Sequence, residues 1–173
     1  MKPRIVEKAI VSTAIFSDND DYRYRLTRVW DKDKKLAALV MLNPSKATEL
    51  KSDQTVMNMT NFLVDNDYGG IEIVNLFAYM TTPRSGLKNR SQEYEKYNDD
   101  YIIQGVNSDI VEIIIVGWGS DNTEHVRRKR QVEKMLLPYR EKLKCFQDKD
   151  GKQPRHPAYY SEMWTLVDYN FVF

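Results

Sequence analysis

The 173-residue chain has one cysteine, Cys145, and two histidines, His125 and His156. A single thiol excludes an internal disulfide framework and any multi-cysteine zinc or iron–sulfur centre within one chain, and points to a reducing, cytoplasmic setting. Two histidines so far apart make no metal-ligating constellation, so no metal and no other cofactor is expected. An excess of one charge is also lacking: 26 Lys and Arg against 25 Asp and Glu give a formal net charge of +1. A nucleic-acid or nucleotide partner would therefore have to be held by a local patch rather than by the whole surface. No apolar run approaches the ~20 residues that span a bilayer. The start MKPRIVEKA lacks a signal-peptide apolar region, so no membrane partner is expected. Neither a Walker-type phosphate loop nor a dinucleotide fingerprint is present.

With 42% hydrophobic and 29% charged residues, the chain suits one globular domain over 1–173, with its core at about 22–160 and a C-terminal tail at 161–173. Its organising stretch is Leu36–Ala47, LAALVMLNPSKA. The apolar run from Leu36 to Leu42 reads as a strand buried on both faces, and Asn43-Pro44-Ser45 ends it in a turn. Asn43 then lies at the carboxyl end of a central strand, the edge at which open α/β sheets bind ligands. Pro44 fixes the turn and holds Asn43 extended. An ordinary Asn-Pro turn capping a core strand is the alternative.

Before this stretch, Ile5–Phe16 reads as one or two strands, and Ser17–Asp21 as a polar loop. Tyr22–Trp30 alternates with period two, placing Arg23 and Arg25 on one face and Tyr22, Tyr24 and Leu26 on the other. The arginine row is either a solvated face or a phosphate contact. After it, Asp53–Asn66 is predicted to be a helix capped by Ser52 or Asp53 and closed at Tyr68-Gly69-Gly70 by a left-handed glycine. Ile71–Tyr79 is a second buried strand, ending in Asn75, and a β–α–β step would bring Asn43 and Asn75 to one sheet edge. A loop at Arg84–Arg90 precedes a helix from Ser91 to about Asn107, whose Tyr94, Tyr97 and Tyr101 face reads as core packing. Val111–Val116 is a third buried strand running into Gly117-Trp118-Gly119-Ser120. A long helix over Asp121–Cys145, interrupted at Pro138, carries HVRRKR as a solvated or phosphate-binding face. Lys144–Phe146 reads as a short strand, Pro154–Pro157 as a constrained loop, and Trp164–Phe173 as a terminal strand or a partner-docking tail. These elements predict an α/β fold: a three-layer α/β/α sandwich with a mainly parallel central sheet.

Across residues 22–160 the elements LNPSKA, Asp53-Gln54-Thr55, IVNLFAY, GWG and RHPAYY resemble those of a family of bacterial and phage proteins known as DUF1643. The series Asn43-Pro44, Asn75, Trp118-Gly119-Ser120 and His156-Pro157 is also similar, more distantly, to the uracil-DNA glycosylase superfamily. That resemblance implies a uracil-DNA-glycosylase-like fold and hydrolysis of the N-glycosidic bond of a pyrimidine or modified base. It implies that Asn43 holds the attacking water, Asn75 reads the base edge, and His156 donates to the departing base. Pro44 and Trp118 would shape the base site, Phe77 or Tyr79 would stack on the base, and backbone amides at Ser45 and Ser120 with Arg23 or Arg155 would hold flanking phosphates. The chain departs from that superfamily in having Asn rather than Asp at 43, which slows the chemistry. It also has Ala158-Tyr159-Tyr160 in place of Ser-Pro after the histidine, with little room for a duplex-inserting loop. A non-catalytic nucleotide- or DNA-binding module and a phage–host interaction protein are the alternatives.

Overall fold

The computed structural model describes residues 2–120 and 124–173. In chain order its elements are β1 (Val11–Phe16), β2 (Arg23–Val29), β3 (Leu36–Met41), α1 (Gln54–Asp65), β4 (Gly70–Asn75), α2 (Gln92–Glu95), α3 (Asn98–Val106), β5 (Val111–Val116), α4 (Val126–Leu136), β6 (Leu143–Gln147) and β7 (Thr165–Asp168). Short 3₁₀ turns lie at Arg84–Asn89, Leu137–Lys142 and Pro157–Tyr159. Among the described residues no helix is long and apolar enough to cross a membrane.

One seven-stranded sheet runs in the order β1-β2-β4-β3-β5-β6-β7, so the uninterrupted apolar strand β3 lies at its centre with every residue buried. Only the four central strands are parallel. β1, β2 and β7 add antiparallel edges, so the sheet is mixed rather than mainly parallel. Two apolar layers cover it. Leu39, Met41, Ile71 and Ile73 pack against Val56, Met59 and Leu63 of α1 on one face. Ala38, Val40, Val74 and Val116 pack against Ile102 and Val106 of α3 and Val132 and Leu136 of α4 on the other.

Several local expectations change. Residues 5–10 are exposed and outside the sheet; β1 begins only at Val11, where it finds β2 as a partner. A bulge at Tyr24 pairs Phe16 with Arg23 but Ile15 with Arg25, so the extra residue puts Arg23 and Arg25 on opposite faces instead of one. Arg25 and Thr27 bind the buried Glu72 carboxylate, whereas Arg23 turns towards the α1 side and donates to the Ala47 carbonyl. The left-handed residue after α1 is Asp67 (φ 66°), not a glycine. Gly69 is required by contact instead: a Cβ there would lie 2.0 Å from the Asp31 carbonyl oxygen.

The segment expected as one helix to Asn107 is split into α2 and α3, and Arg84–Asn89 coils into a 3₁₀ turn. The expected long helix is α4 alone, because Pro138 cannot continue it and Cys145 falls on β6; its first residues, 121–123, lie outside the described ones. The HVRRKR cluster is not a solvated face. Lys129 is buried and donates to the Ser120 carbonyl, and Arg128 bonds the Leu76 carbonyl and Asp99. The tail is a terminal strand, β7 on β6, whose Tyr169 joins the core beside Trp118 and bonds Glu133.

Candidate functional site

Met41 of β3 is in register with Asn75 of β4, so the two strands end together. Past them the chains stay joined by hydrogen bonds from Leu76 N to the Met41 carbonyl and from Phe77 N to the Leu42 carbonyl. The Asn43-Pro44 turn is pinned to the segment after β4: Thr81 N donates to the Pro44 carbonyl at 3.1 Å. In return the Asn43 amide donates to the carbonyls of Thr81 (2.7 Å) and Pro44 (3.0 Å). Both of its N–H bonds are thereby used, and what Asn43 has left to offer is its acceptor oxygen.

On the α1 side of this rim lies a hollow of about 60 Å³ lined by Arg23, Asn43, Pro44, Ser45, Asp53, Asn75 and His156 among others. Five separate segments deliver these groups. β3 and β4 bring the two amides, the bulge in β2 turns Arg23 inward, and the start of α1 supplies Asp53. The loop after β6 brings His156, and it is docked by α1, whose Asn58 amide donates to the carbonyls of Pro157 (2.9 Å) and Ala158 (3.2 Å). Close packing seats this loop against the end of β5: a Cβ at Gly117 would lie 2.6 Å from the Met41 sulfur and 2.9 Å from Pro157.

The electrostatics of the hollow are those of a donor-rich site. Asn75 is 1% exposed, and its Nδ2 has no hydrogen-bond partner among the described residues. Arg23 is 3% exposed; one terminal nitrogen donates to the Ala47 carbonyl, but among the described residues its Nε also has no partner. Burial lowers the Arg23 pKa to about 10, with Arg28 adding to the shift and Asp53 opposing it, so the guanidinium keeps its charge at neutral pH. His156 is the reverse case. Burial, then the Arg84 cation, lowers its pKa to about 4 against the pull of Asp53, so the imidazole is neutral. Its Nδ1 accepts from Ala158 N at 3.2 Å, which fixes the proton on Nε2 and leaves a neutral donor. Asp53 caps α1 through Oδ1, which accepts from Val56 N at 3.0 Å.

Beside this hollow, with His156 as the shared wall, is a second one of about 170 Å³ lined by Arg84, Gly119, Ser120, Arg155 and Tyr159. Arg155 lies over the Trp164 ring at 5.2 Å and beside Asp148 at 3.4 Å. The structure therefore brings Asn43, Pro44, Ser45, Asn75, Arg23 and His156 to one hollow, with Ser120 and Arg155 in its neighbour. It does not bring the expected aromatics there. Phe77 belongs to the core on the opposite face, where Arg90 lies over its ring at 4.5 Å. Tyr79 packs on Tyr22 at 5.2 Å, and Trp118 is sealed in the core at 1% exposure. Asp53 and Arg84 line the site without having been assigned to it from the sequence: the first was read as a helix cap and as part of the Asp53-Gln54-Thr55 element, the second as part of a loop. A cap on the helix that follows a strand ending at the binding rim was the available signal for Asp53. Among the described residues no group of three or more His, Cys, Asp or Glu side chains is placed to hold a metal ion.

Fold and site define an α/β protein with a polar, donor-rich hollow at the carboxyl rim of a mixed sheet. Residues 23–158 match the model of a family described as a protein of unknown function, DUF1643, and the chain belongs to that family. No curated protein and no solved structure matches it significantly.

Proposed function

We propose that the chain recognises a nucleobase at this rim and hydrolyses the N-glycosidic bond of a pyrimidine or modified base, on a plan related to the uracil-DNA glycosylases. The observation that carries this reading is the pair of buried, unpartnered donors, Asn75 Nδ2 and Arg23 Nε, in the hollow that holds Asn43 and a neutral His156. Leaving a buried donor unpaired costs about 1–3 kcal/mol, so two in one place are expected where a ligand completes them. The complementary ligand is an acceptor edge such as the carbonyls of a pyrimidine, with sugar and phosphate towards Arg84, Ser120 and Arg155.

As the C1′–N1 bond breaks, negative charge grows on the carbonyl oxygens of the departing base. The Nε2–H of His156, the Asn75 amide and the Arg23 guanidinium are donors to that charge, held in place before the reaction. The remaining acceptor of Asn43 orients a water towards the anomeric carbon, and Asp53 takes the proton as the new C–O bond forms. Asn43 orients the water but is no base, and Asp53, whose Oδ1 already caps α1, is left to accept the proton, so turnover is slow. That same weakness favours a second reading, a nucleotide-binding module without catalysis.

Oligonucleotides carrying uracil or modified pyrimidines, single- and double-stranded, separate the two when released base and abasic sites are scored. Base release lost in Asn75→Ala, with the fold intact, supports the enzyme. Saturable binding without cleavage supports the module, and base release retained in Asn75→Ala removes the assignment of the site.

A further inference from the structure

Of the tyrosine face expected to pack in the core, Tyr94 and Tyr101 do pack, half-buried, against Tyr22, Tyr24 and Ala78, whereas Tyr97 is exposed. Tyr24, Tyr94, Tyr97 and Tyr101, with Asp18 and Glu93, line a hollow of about 370 Å³ between the loop after β1 and the helices α2 and α3. Among the described residues no Lys, Arg or His lines it. The rings are held in place rather than loose. Tyr24 stacks on Tyr101 at 4.8 Å and Tyr94 on Tyr22 at 4.8 Å, and the Tyr24 hydroxyl donates to the Tyr94 carbonyl at 3.1 Å. The nearby Asp18 carboxylate raises the pKa of the Tyr94 hydroxyl. Tyr97 is 49% exposed, and one cation already uses its face: the Lys96 ammonium lies 4.9 Å from the ring centroid.

Electron-rich ring faces and carboxylates attract the same kind of group, a cation with an apolar surface. The carboxylates also decide against a nucleic-acid strand. Its bases would stack on tyrosine, but its phosphates would meet Asp18 and Glu93, with Glu95 acting on Tyr22 and Tyr24 from behind. We infer that this hollow is a binding site for an alkylated ammonium group, distinct from the rim that holds Asn75 and His156.

The test titrates choline into the full-length protein by calorimetry. Its uncharged carbon isostere, 3,3-dimethylbutan-1-ol, is titrated in parallel at matched salt. Choline is expected to saturate one site and to bind at least ten-fold more tightly than the alcohol. Tyr97→Ala, at an exposed position that the fold does not need, is expected to weaken choline about five-fold, the value of one ring face. Tyr97→Phe keeps the affinity, and Glu93→Gln lowers it. A peptide carrying trimethyl-lysine binding more tightly than choline assigns the group to a protein partner, and the reverse order assigns it to a small molecule. Equal binding of choline and the alcohol, no saturation, or indifference to both Tyr97→Ala and Glu93→Gln would overturn the inference.

Discussion

Three arginines on one strand separate cost from use. Arg23, Arg25 and Arg28 all project from β2 into buried or half-buried surroundings, and Met at each position keeps most of the apolar stem while removing the charge. Arg25 holds Glu72 through two bonds of 2.7 and 2.8 Å, and Glu72 is 4% exposed. Arg25→Met leaves that carboxylate with Thr27 alone, and stranding a buried partner costs about 3 kcal/mol here, the low end of the usual range because Arg25 is partly exposed. Arg28 ties down the loop before α1 through Ser52 Oγ and the carbonyls of Thr48 and Lys51; among the described residues its Nε, like that of Arg23, is buried without a partner, so three lost bonds less one relieved orphan leave Arg28→Met with an expected cost of about 2 kcal/mol. Among the described residues Arg23 has a single hydrogen-bond partner, the Ala47 carbonyl, and its buried Nε has none. Losing the bond and relieving the orphan are both worth about 1–3 kcal/mol and oppose each other, so Arg23→Met is expected to fall within about 1 kcal/mol of the parent. Urea unfolding followed by tryptophan fluorescence reads all three as shifts in midpoint at constant slope. A loss in Arg23→Met as large as in Arg28→Met would refute the reasoning, because Arg23 would then be a structural strut and the hollow a packing feature.

The neutral His156 makes stability depend on pH. Its folded pKa, about 4, lies below the unfolded value of 6.5, so the unfolded chain binds the extra proton between those two values and stability falls as pH falls through that window. The full effect is about 3 kcal/mol. His156→Asn, which keeps an acceptor for Ala158 N, is expected to flatten that part of the profile in urea melts at pH 4–6.5, and an unchanged slope would count against a buried neutral imidazole. Glu95 accepts from the backbone N–H groups of Ala78 and Tyr79, so Glu95→Leu should cost about 2–4 kcal/mol by orphaning both while Glu95→Gln costs much less, as read by thermal melts. Gly117→Ala forces a methyl against the Met41 sulfur and Pro157, and about 1–3 kcal/mol of overpacking is expected along with weaker ligand binding, since the displaced loop carries His156.

The central strands were legible because their apolar runs are long: LAALVM, and the β-branched VEIIIV past its exposed Glu112, read as strands buried on both faces. Asn43 and Asn75 followed, since parallel neighbours share their carboxyl ends. What could not be read depends on residues far apart in sequence. Alternation places Arg23 beside Arg25, and only the pairing of β2 with β1 shows the bulge that separates them. Helical spacing marks Tyr94, Tyr97 and Tyr101 as one face but does not say whether anything covers it. Gly69-Gly70 was read as a helix stop because glycine tolerates positive φ, yet Asp67 takes that conformation while Gly69 makes room for the Asp31 carbonyl. Phe77 and Trp118 follow strand ends as aromatic ligand contacts do, but both turn into the core.

The side-chain amide of Asn75 reports most directly on the hollow, because its N–H groups give a resolved signal in a ¹⁵N correlation spectrum that Asn75→Ala identifies. Titration with a pyrimidine nucleotide is expected to shift that signal saturably and to protect its protons from exchange, in step with changes at Ala158 N beside His156. An amide signal that stays in place while the nucleotide binds elsewhere, or a spectrum that does not respond at all, would contradict the assignment of this rim as the nucleobase site.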